Sequence, residues 1–77
     1  MMSDMDDALK ELGEVDRDIL QIETRITEQT VLAEHLRTQG QSNTEANKAG
    51  QNLEKVLREQ HMHRELVLAR IAQLEES

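Results

Sequence analysis

The segment His61-Met62-His63 carries the side chains most suited to chemistry, because imidazole and thioether groups both bind transition metals. On a helix, however, residues two positions apart point about 200° away from each other, so His61 and His63 cannot share one ion. The remaining histidine, His35, lies far along the chain from both. We therefore expect no metal site, and we expect a histidine at position 63 to make stability sensitive to pH if it is buried.

Catalysis is not indicated by the other reactive side chains. Ser3, Ser42 and Ser77 lie near predicted helix ends or at a terminus, and the three glycines are too far apart for a phosphate-binding loop. The carboxylates are spread along solvated faces, and a chain without aromatic residues offers no enclosed pocket in which a pKa could be shifted. We expect no enzyme activity, no catalytic residue and no cofactor.

Composition excludes several further classes. The chain has 77 residues with no Cys, Pro, Phe, Tyr or Trp, so a disulfide scaffold or a thiolate zinc site is impossible and one small domain is expected. The net charge of −7 disfavours binding to nucleic acids or anionic membranes, which are themselves polyanions. The acidic start and the lack of a long apolar run predict a cytoplasmic protein without a targeting segment or a membrane span.

The elements that position these residues are two long helices. Helix-favouring residues dominate, and turn-forming residues are concentrated between Gln39 and Thr44. Gly40 suits the position just after a helix end, and Ser42 with Glu45 resembles a capping box, with Thr44 as the competing cap. The pattern predicts an all-α antiparallel coiled-coil hairpin over residues 1–77, with a helix over 4–38, a turn over 39–43 and a helix over 44–75.

An apolar seam with alternating spacings of three and four supports the hairpin. In the first helix the seam comprises Met5, Ala8, Leu12, Val15, Ile19, Ile22, Ile26, Gln29, Ala33 and Leu36. In the second helix it comprises Ala46, Ala49, Leu53, Val56 beside Leu57, Gln60, His63 beside Arg64, Val67, Ile71 and Leu74. Folding at the turn then predicts that Ala33 faces Ala49 and that Gln29 faces Leu53. The glutamines within the seams are typical of residues that fix register or oligomeric state.

Apolar residues outside the seams predict an interaction surface. Leu9, Leu20 and Val31 recur every eleven residues along one side of the first helix, and Gly13 lies on the same side. In the second helix Met62, Leu66 and Ala69 form a patch away from the seam, which Leu68 and Ala72 widen. A second apolar face must be buried against something, and another copy of the chain is the simplest choice. We therefore predict a homodimer that forms a four-helix bundle.

The spacing of particular residues resembles that of small uncharacterised helical-hairpin proteins common in alphaproteobacteria. The resemblance rests on the first-helix segment Arg25–Gln29, the turn Gly40–Thr44 and, after the turn, Ala46, Leu53, Leu57, His61, Arg64, Ile71 and Leu74. The turn is one residue longer than the Gly-x-x-Thr of that group. The resemblance implies a bacterial origin and no known activity. In shape the chain is also similar to type III secretion co-chaperones, which sequester a partner helix, and to small RNA-binding four-helix dimers.

Together these features predict a non-enzymatic protein–protein interaction module, such as an adaptor, regulator or co-chaperone, that acts through helix packing on itself and on another protein. The alternative is an acidic inhibitor that mimics nucleic acid, because the first sixteen residues hold six acidic side chains and one basic side chain. Salt separates the two hypotheses, since apolar docking persists when charges are screened and charge mimicry does not.

Overall fold

The fold is an elongated hairpin of two antiparallel helices, seen in a computed structural model that describes residues 3–77. Helix α1 spans Asp4–Thr38 and helix α2 spans Thr44–Glu75. The hairpin measures 60 × 18 × 13 Å, and the described residues include no strand. The all-α hairpin prediction is confirmed. Neither helix of this part of the chain is long and apolar enough to cross a membrane.

Local chemistry accounts for both ends of α1. The Ser3 hydroxyl accepts a hydrogen bond of 3.1 Å from the backbone N–H of Asp6, and acidic side chains in the first turn complement the helix dipole. At the other end Gly40 has a φ of 71°, the left-handed conformation that glycine adopts at least cost. The N–H of Gln41 then reaches the carbonyl of Leu36 at 2.9 Å, which closes a Schellman motif and turns the chain out of α1.

The start of α2 differs from the sequence prediction. The N-cap is Asn43, not Ser42 or Thr44, and it makes no capping bond with its side chain. Its side-chain amide instead donates to the carbonyl of Ala33 on the other helix at 3.4 Å. Asn43 is half-buried, so its role is to join the turn to α1 and it extends the interhelical contact by one layer.

The seam predicted for α1 is confirmed, because all ten of its residues are buried or half-buried. Outside the seam, only Glu11 and Asp16 of α1 are similarly shielded, and both are paired with basic side chains of α2. The spacing of three and four residues was a sufficient signal because it continues through the whole helix without interruption, even where Leu9, Leu20 and Leu32 adjoin a seam residue.

The seam predicted for α2 is wrong at Val56 and His63. The structure exposes these two residues, and the neighbours named beside them, Leu57 and Arg64, are half-buried in their places. Near the turn Ala49 and Gly50 are both half-buried, and Gly50 is the one that faces Gln29 of α1. The corrected seam alternates steps of three and four without interruption, and it comprises Asn43, Ala46, Gly50, Leu53, Leu57, Gln60, Arg64, Val67, Ile71 and Leu74.

The register of the two helices is therefore shifted by three residues from the prediction. A Cβ atom built on Gly50 would lie 4.0 Å from Cβ of Gln29, so Gln29 faces Gly50 and not Leu53. The same register pairs Ala33 with Ala46 near the turn. At the open end Ala8 packs with Val67 and Ile71 in the only cluster of buried apolar residues within the described chain, flanked by Met5, Leu12 and Leu74.

Candidate interaction surfaces

The predicted apolar residues of α1 lie outside the seam, with Leu9 on its flank and Leu20 and Val31 on the side of the helix that faces away from α2. Leu9, Leu20 and Val31 are 50%, 66% and 63% exposed. Gly13 lies on the same side, and a Cβ atom built on it meets no atom within 4 Å. We call the surface formed by Leu9, Gly13, Leu20 and Val31 the outer face of α1.

The outer face of α1 is less polar than its composition suggests. Thr24 and Thr27 extend it toward the turn, whereas Thr30 lies beside the seam and lines a groove with Ala46 and Gly50 of α2. The hydroxyl of each threonine donates to the backbone carbonyl four residues earlier, at 3.0, 3.1 and 2.9 Å. Because these donors are satisfied within the helix, the threonines need no outside partner and can present their methyl groups to a neighbour.

The predicted patch on α2 is exposed as well. Met62 and Leu66 are 69% and 70% exposed, and Ala69 is also open to solvent. Their spacing from the α2 seam places them on the back of that helix, whereas Leu68 is half-buried beside the seam. The structure therefore presents the predicted site residues on two separate surfaces, one on each helix.

Two further exposed apolar residues were missed by the sequence analysis. Leu32 is 44% exposed, and Val56, which was predicted to lie in the seam, is 39% exposed. Leu32 lines a shallow groove on α1 together with Thr27, Val31 and His35. The signal for Val56 is the uninterrupted spacing through Gly50, which moves Val56 out of the seam, and the signal for Leu32 is its place beside the seam residue Ala33.

A charged cluster joins the two helices near their open end. His63 Nε2 lies 2.8 Å from Glu11 Oε1, and Arg70 donates to the other oxygen of the same carboxylate. The hydrogen bond with His63, followed by that with Arg70, holds the pKa of Glu11 below its ordinary value of 4.5. His63 therefore belongs to a surface ion-pair cluster and not to the seam, which removes the burial on which the predicted pH response of His63 depended.

A second ion pair flanks the seam. Arg64 Nε donates to Asp16 Oδ1 at 2.7 Å, and both side chains are partly exposed. Arg64 occupies a seam position, so its aliphatic part covers the apolar layer while its guanidinium reaches the surface. The pair acts as a clamp between the helices.

Metal-binding geometry is not found in residues 3–77, where no group of three or more His, Asp or Glu side chains is arranged to hold an ion. His61 and His63 are both exposed, and only His63 contacts a carboxylate.

The sequence matches no protein-family model, and neither a curated protein nor a solved structure is significantly similar to it. The resemblance to alphaproteobacterial helical-hairpin proteins stays a prediction.

Proposed function

We propose that the protein is a non-enzymatic interaction module that self-associates through helix packing, so that two hairpins form a four-helix assembly. The observation that carries this proposal is the exposure of five large apolar side chains by half or more, on surfaces that face away from the seam, namely Leu9, Leu20, Val31, Met62 and Leu66. Large apolar side chains that recur along one side of a helix form a stripe that packing against another helix can bury.

The thinness of the hairpin supports the same proposal. Two helices share one interface, and its buried residues are few and small or medium in size: Ala8, Val15, Ile19, Ala33, Ala46, Val67 and Ile71. A domain of this size gains only a few kcal/mol from a single core. Burying one exposed leucine adds roughly 1.5–3 kcal/mol, so a second copy contributes stability comparable to that of the hairpin itself.

Thermal unfolding followed by circular dichroism tests this proposal. The midpoint of an obligate or strongly associating dimer rises with protein concentration, whereas that of a monomer does not. We expect a concentration-dependent midpoint for the native chain and a lower, concentration-independent midpoint for Leu20→Asp. Arg25→Asp, an exposed change on another side of α1, is the control and should keep the concentration dependence. An unfolding midpoint of the native chain that does not change with protein concentration contradicts self-association.

A second candidate is the acidic inhibitor of a nucleic-acid-binding protein. The observation in its favour is a row of carboxylates along one flank of α1, spaced by three and four residues: Asp4, Asp7, Glu11, Glu14 and Asp18. Against it, the central carboxylate of the row is already bonded to His63 and Arg70 of α2. Binding to a basic partner that is lost at about 0.5 M salt would support the inhibitor over apolar docking.

The module is proposed to serve as an adaptor, regulator or co-chaperone that also offers a helix surface to another protein. The formal charge of −7 disfavours nucleic acid as a direct partner. The cytoplasmic location expected from the sequence belongs to the same proposal.

A further inference from the structure

We infer that the occupant of the outer face of α1 is the same face of a second copy, packed antiparallel with a two-fold axis that passes beside Leu20. This inference rests on the proposed self-association and adds which surface is used and how the two hairpins are oriented. In this arrangement the two copies contact each other through α1, and the Met62–Leu66 patch of α2 lies outside that contact.

The spacing of the exposed residues is symmetric about Leu20. Leu9 precedes it by eleven residues and Val31 follows it by eleven. When α1 packs antiparallel on its own copy about Leu20, each Leu9 meets Val31 of the other chain and the two Leu20 side chains meet at the axis. A two-fold interface requires this kind of self-complementarity. In a parallel arrangement Leu9 would meet Leu9 instead.

The side chains between these anchors are also compatible with close packing. The same symmetry sets Gly13 opposite Thr27, and the open space around Gly13 leaves room for a neighbouring helix. Thr27 and Val31 line a shallow groove at the position where Leu9 of the second copy would lie. A knob facing a groove is the arrangement that helix packing requires.

Charge complementarity selects the antiparallel orientation. Arg17 and Glu23 lie three residues on either side of Leu20, so the two-fold axis sets each arginine at the same level as a glutamate of the other copy and produces two pairs of opposite charge. Within residues 3–77 neither side chain forms an ion pair inside the hairpin. Asp6 falls opposite Glu34, but the Glu34 carboxylate already accepts hydrogen bonds from Arg37 of its own helix.

The overall charge distribution favours the same orientation. Residues 1–20 and 59–77, the half away from the turn, carry eleven acidic and four basic side chains, whereas residues 21–58 carry five of each. The whole formal charge of −7 is therefore in one half of the hairpin. Antiparallel packing places this half against the neutral half of the other copy, and parallel packing places like charges together.

The available area is sufficient for a stable contact in this orientation. The side of the hairpin that carries the outer face of α1 measures 60 by 13 Å, which is about 800 Å², and a standard interface takes roughly 800 Å² from each partner. Full-length overlap centred near Leu20 uses most of that face, because Leu20 lies close to the middle of Asp4–Thr38.

Disulfide trapping tests the arrangement, since the native chain contains no cysteine. Under air oxidation with a copper catalyst, Leu20→Cys should form a covalent dimer at least about tenfold faster than Leu66→Cys, because its thiols are held together by the interface. Leu66 is a matched control with similar exposure on α2. A mixture of Leu9→Cys and Val31→Cys chains should cross-link to each other, and neither variant should cross-link efficiently with itself.

A charge exchange provides the second test. Arg17→Glu should raise the dimer dissociation constant by about tenfold or less, as expected for exposed ion pairs, and adding Glu23→Arg should restore it. Efficient self-cross-linking of Leu9→Cys, or equal rates for Leu20→Cys and Leu66→Cys, overturns the arrangement. Sedimentation of the same variants under reducing conditions distinguishes failure of this arrangement from failure of self-association. A dimer without the predicted cross-links refutes only the arrangement, and a monomer refutes the proposed self-association as well.

Discussion

Gln29 of α1 lies directly against Gly50 of α2, where a Cβ atom on the glycine would be 4.0 Å from Cβ of the glutamine. This contact fixes the register of the hairpin. It places a residue without a side chain opposite a long polar one, so the helices can approach closely while the glutamine remains half-buried. The layer lies between the turn and the weak central part of the seam, where Gln60 and Arg64 replace apolar residues.

Gly50→Ala should stabilise the hairpin. The added methyl group would lie at ordinary van der Waals distance from Gln29, and alanine is favoured over glycine within a helix by about 1 kcal/mol. Urea denaturation of the native and variant chains measures the difference. A loss of stability would show that the layer has no room for a methyl group and that the register differs from the one described.

Gly40→Ala should have the opposite effect, which makes it a matched control for the same substitution. Gly40 has a φ of 71° and no atom within 4 Å of a built Cβ, so the cost arises from the backbone conformation and not from a clash. We expect a loss of about 1 kcal/mol in the free energy of unfolding. An unchanged unfolding midpoint would indicate that the Schellman turn does not limit stability.

The sequence was sufficient to predict most of the fold. The cap at Ser3, the turn at Gly40 and the spacing of the α1 seam are local signals, and each one agrees with the structure. The N-cap at Asn43 was missed because its side chain bonds across the hairpin to Ala33 and makes no local capping bond.

The α2 seam could not be assigned from local patterns because it contains three adjacent pairs of similar candidates. Hydrophobicity favours Ala49 over Gly50, does not separate Val56 from Leu57, and favours neither His63 nor Arg64 clearly. The partner helix decides between them: Gln29 adjoins Gly50, Asp16 pairs with Arg64, and Glu11 holds His63 at the surface. The exposed residues Leu9, Leu20 and Val31 of α1 were predictable because the α1 seam was correct. Leu32 was missed although it adjoins that seam, and Val56 was missed because the α2 seam was assigned wrongly.

Arg64→Leu should raise the stability of the hairpin by about 1 kcal/mol or more, because a leucine at this seam position buries apolar surface opposite Val15. The ion pair that it removes is partly exposed, with side chains 36% and 47% accessible, and such pairs contribute little. Asp16→Asn is the control and should change the unfolding free energy by less than about 1 kcal/mol. Greater destabilisation by Arg64→Leu than by Asp16→Asn would mean that the ion pair between Arg64 and Asp16 is essential for the stability of the hairpin.

Acid should weaken the hairpin through Glu11. Its pKa is lowered in the folded state by hydrogen bonds with His63 and Arg70, so the carboxylate stabilises the fold above its ordinary pKa of 4.5. That contribution is lost as the pH falls through the lowered pKa. We expect the thermal midpoint to fall below about pH 4.5, and Glu11→Gln to remove part of this fall.

Glu14→Gln is the matched control for Glu11, because Glu14 lies one helical turn away on the same flank and forms no ion pair within residues 3–77. Glu34, whose pKa is also lowered by its hydrogen bonds with Arg37, contributes to the remaining acid sensitivity. Identical acid profiles for the native chain and Glu11→Gln would contradict the role assigned to this cluster.

Gly13→Leu should separate the stability of the hairpin from its association. No atom lies within 4 Å of a Cβ built at Gly13, so the hairpin itself accommodates the larger side chain and gains helix propensity. In the proposed antiparallel contact the leucine would collide with the region of Thr27 in the second copy. We expect retained helicity with dimerisation weakened by about tenfold or more, equivalent to about 1.4 kcal/mol. Unchanged association would show that this part of α1 faces solvent.

Sedimentation equilibrium of the native chain over a roughly hundredfold range of concentration tests the central claim most directly, because self-association makes the measured mass depend on concentration. Self-association predicts a dimer with twice the 8.9 kDa mass of one chain, and this dimer should dissociate on dilution. Under the same conditions Leu20→Asp should shift the measured mass toward that of a single chain. A native chain that sediments at 8.9 kDa throughout the range would contradict self-association, and the exposed apolar faces would then be free for a different protein.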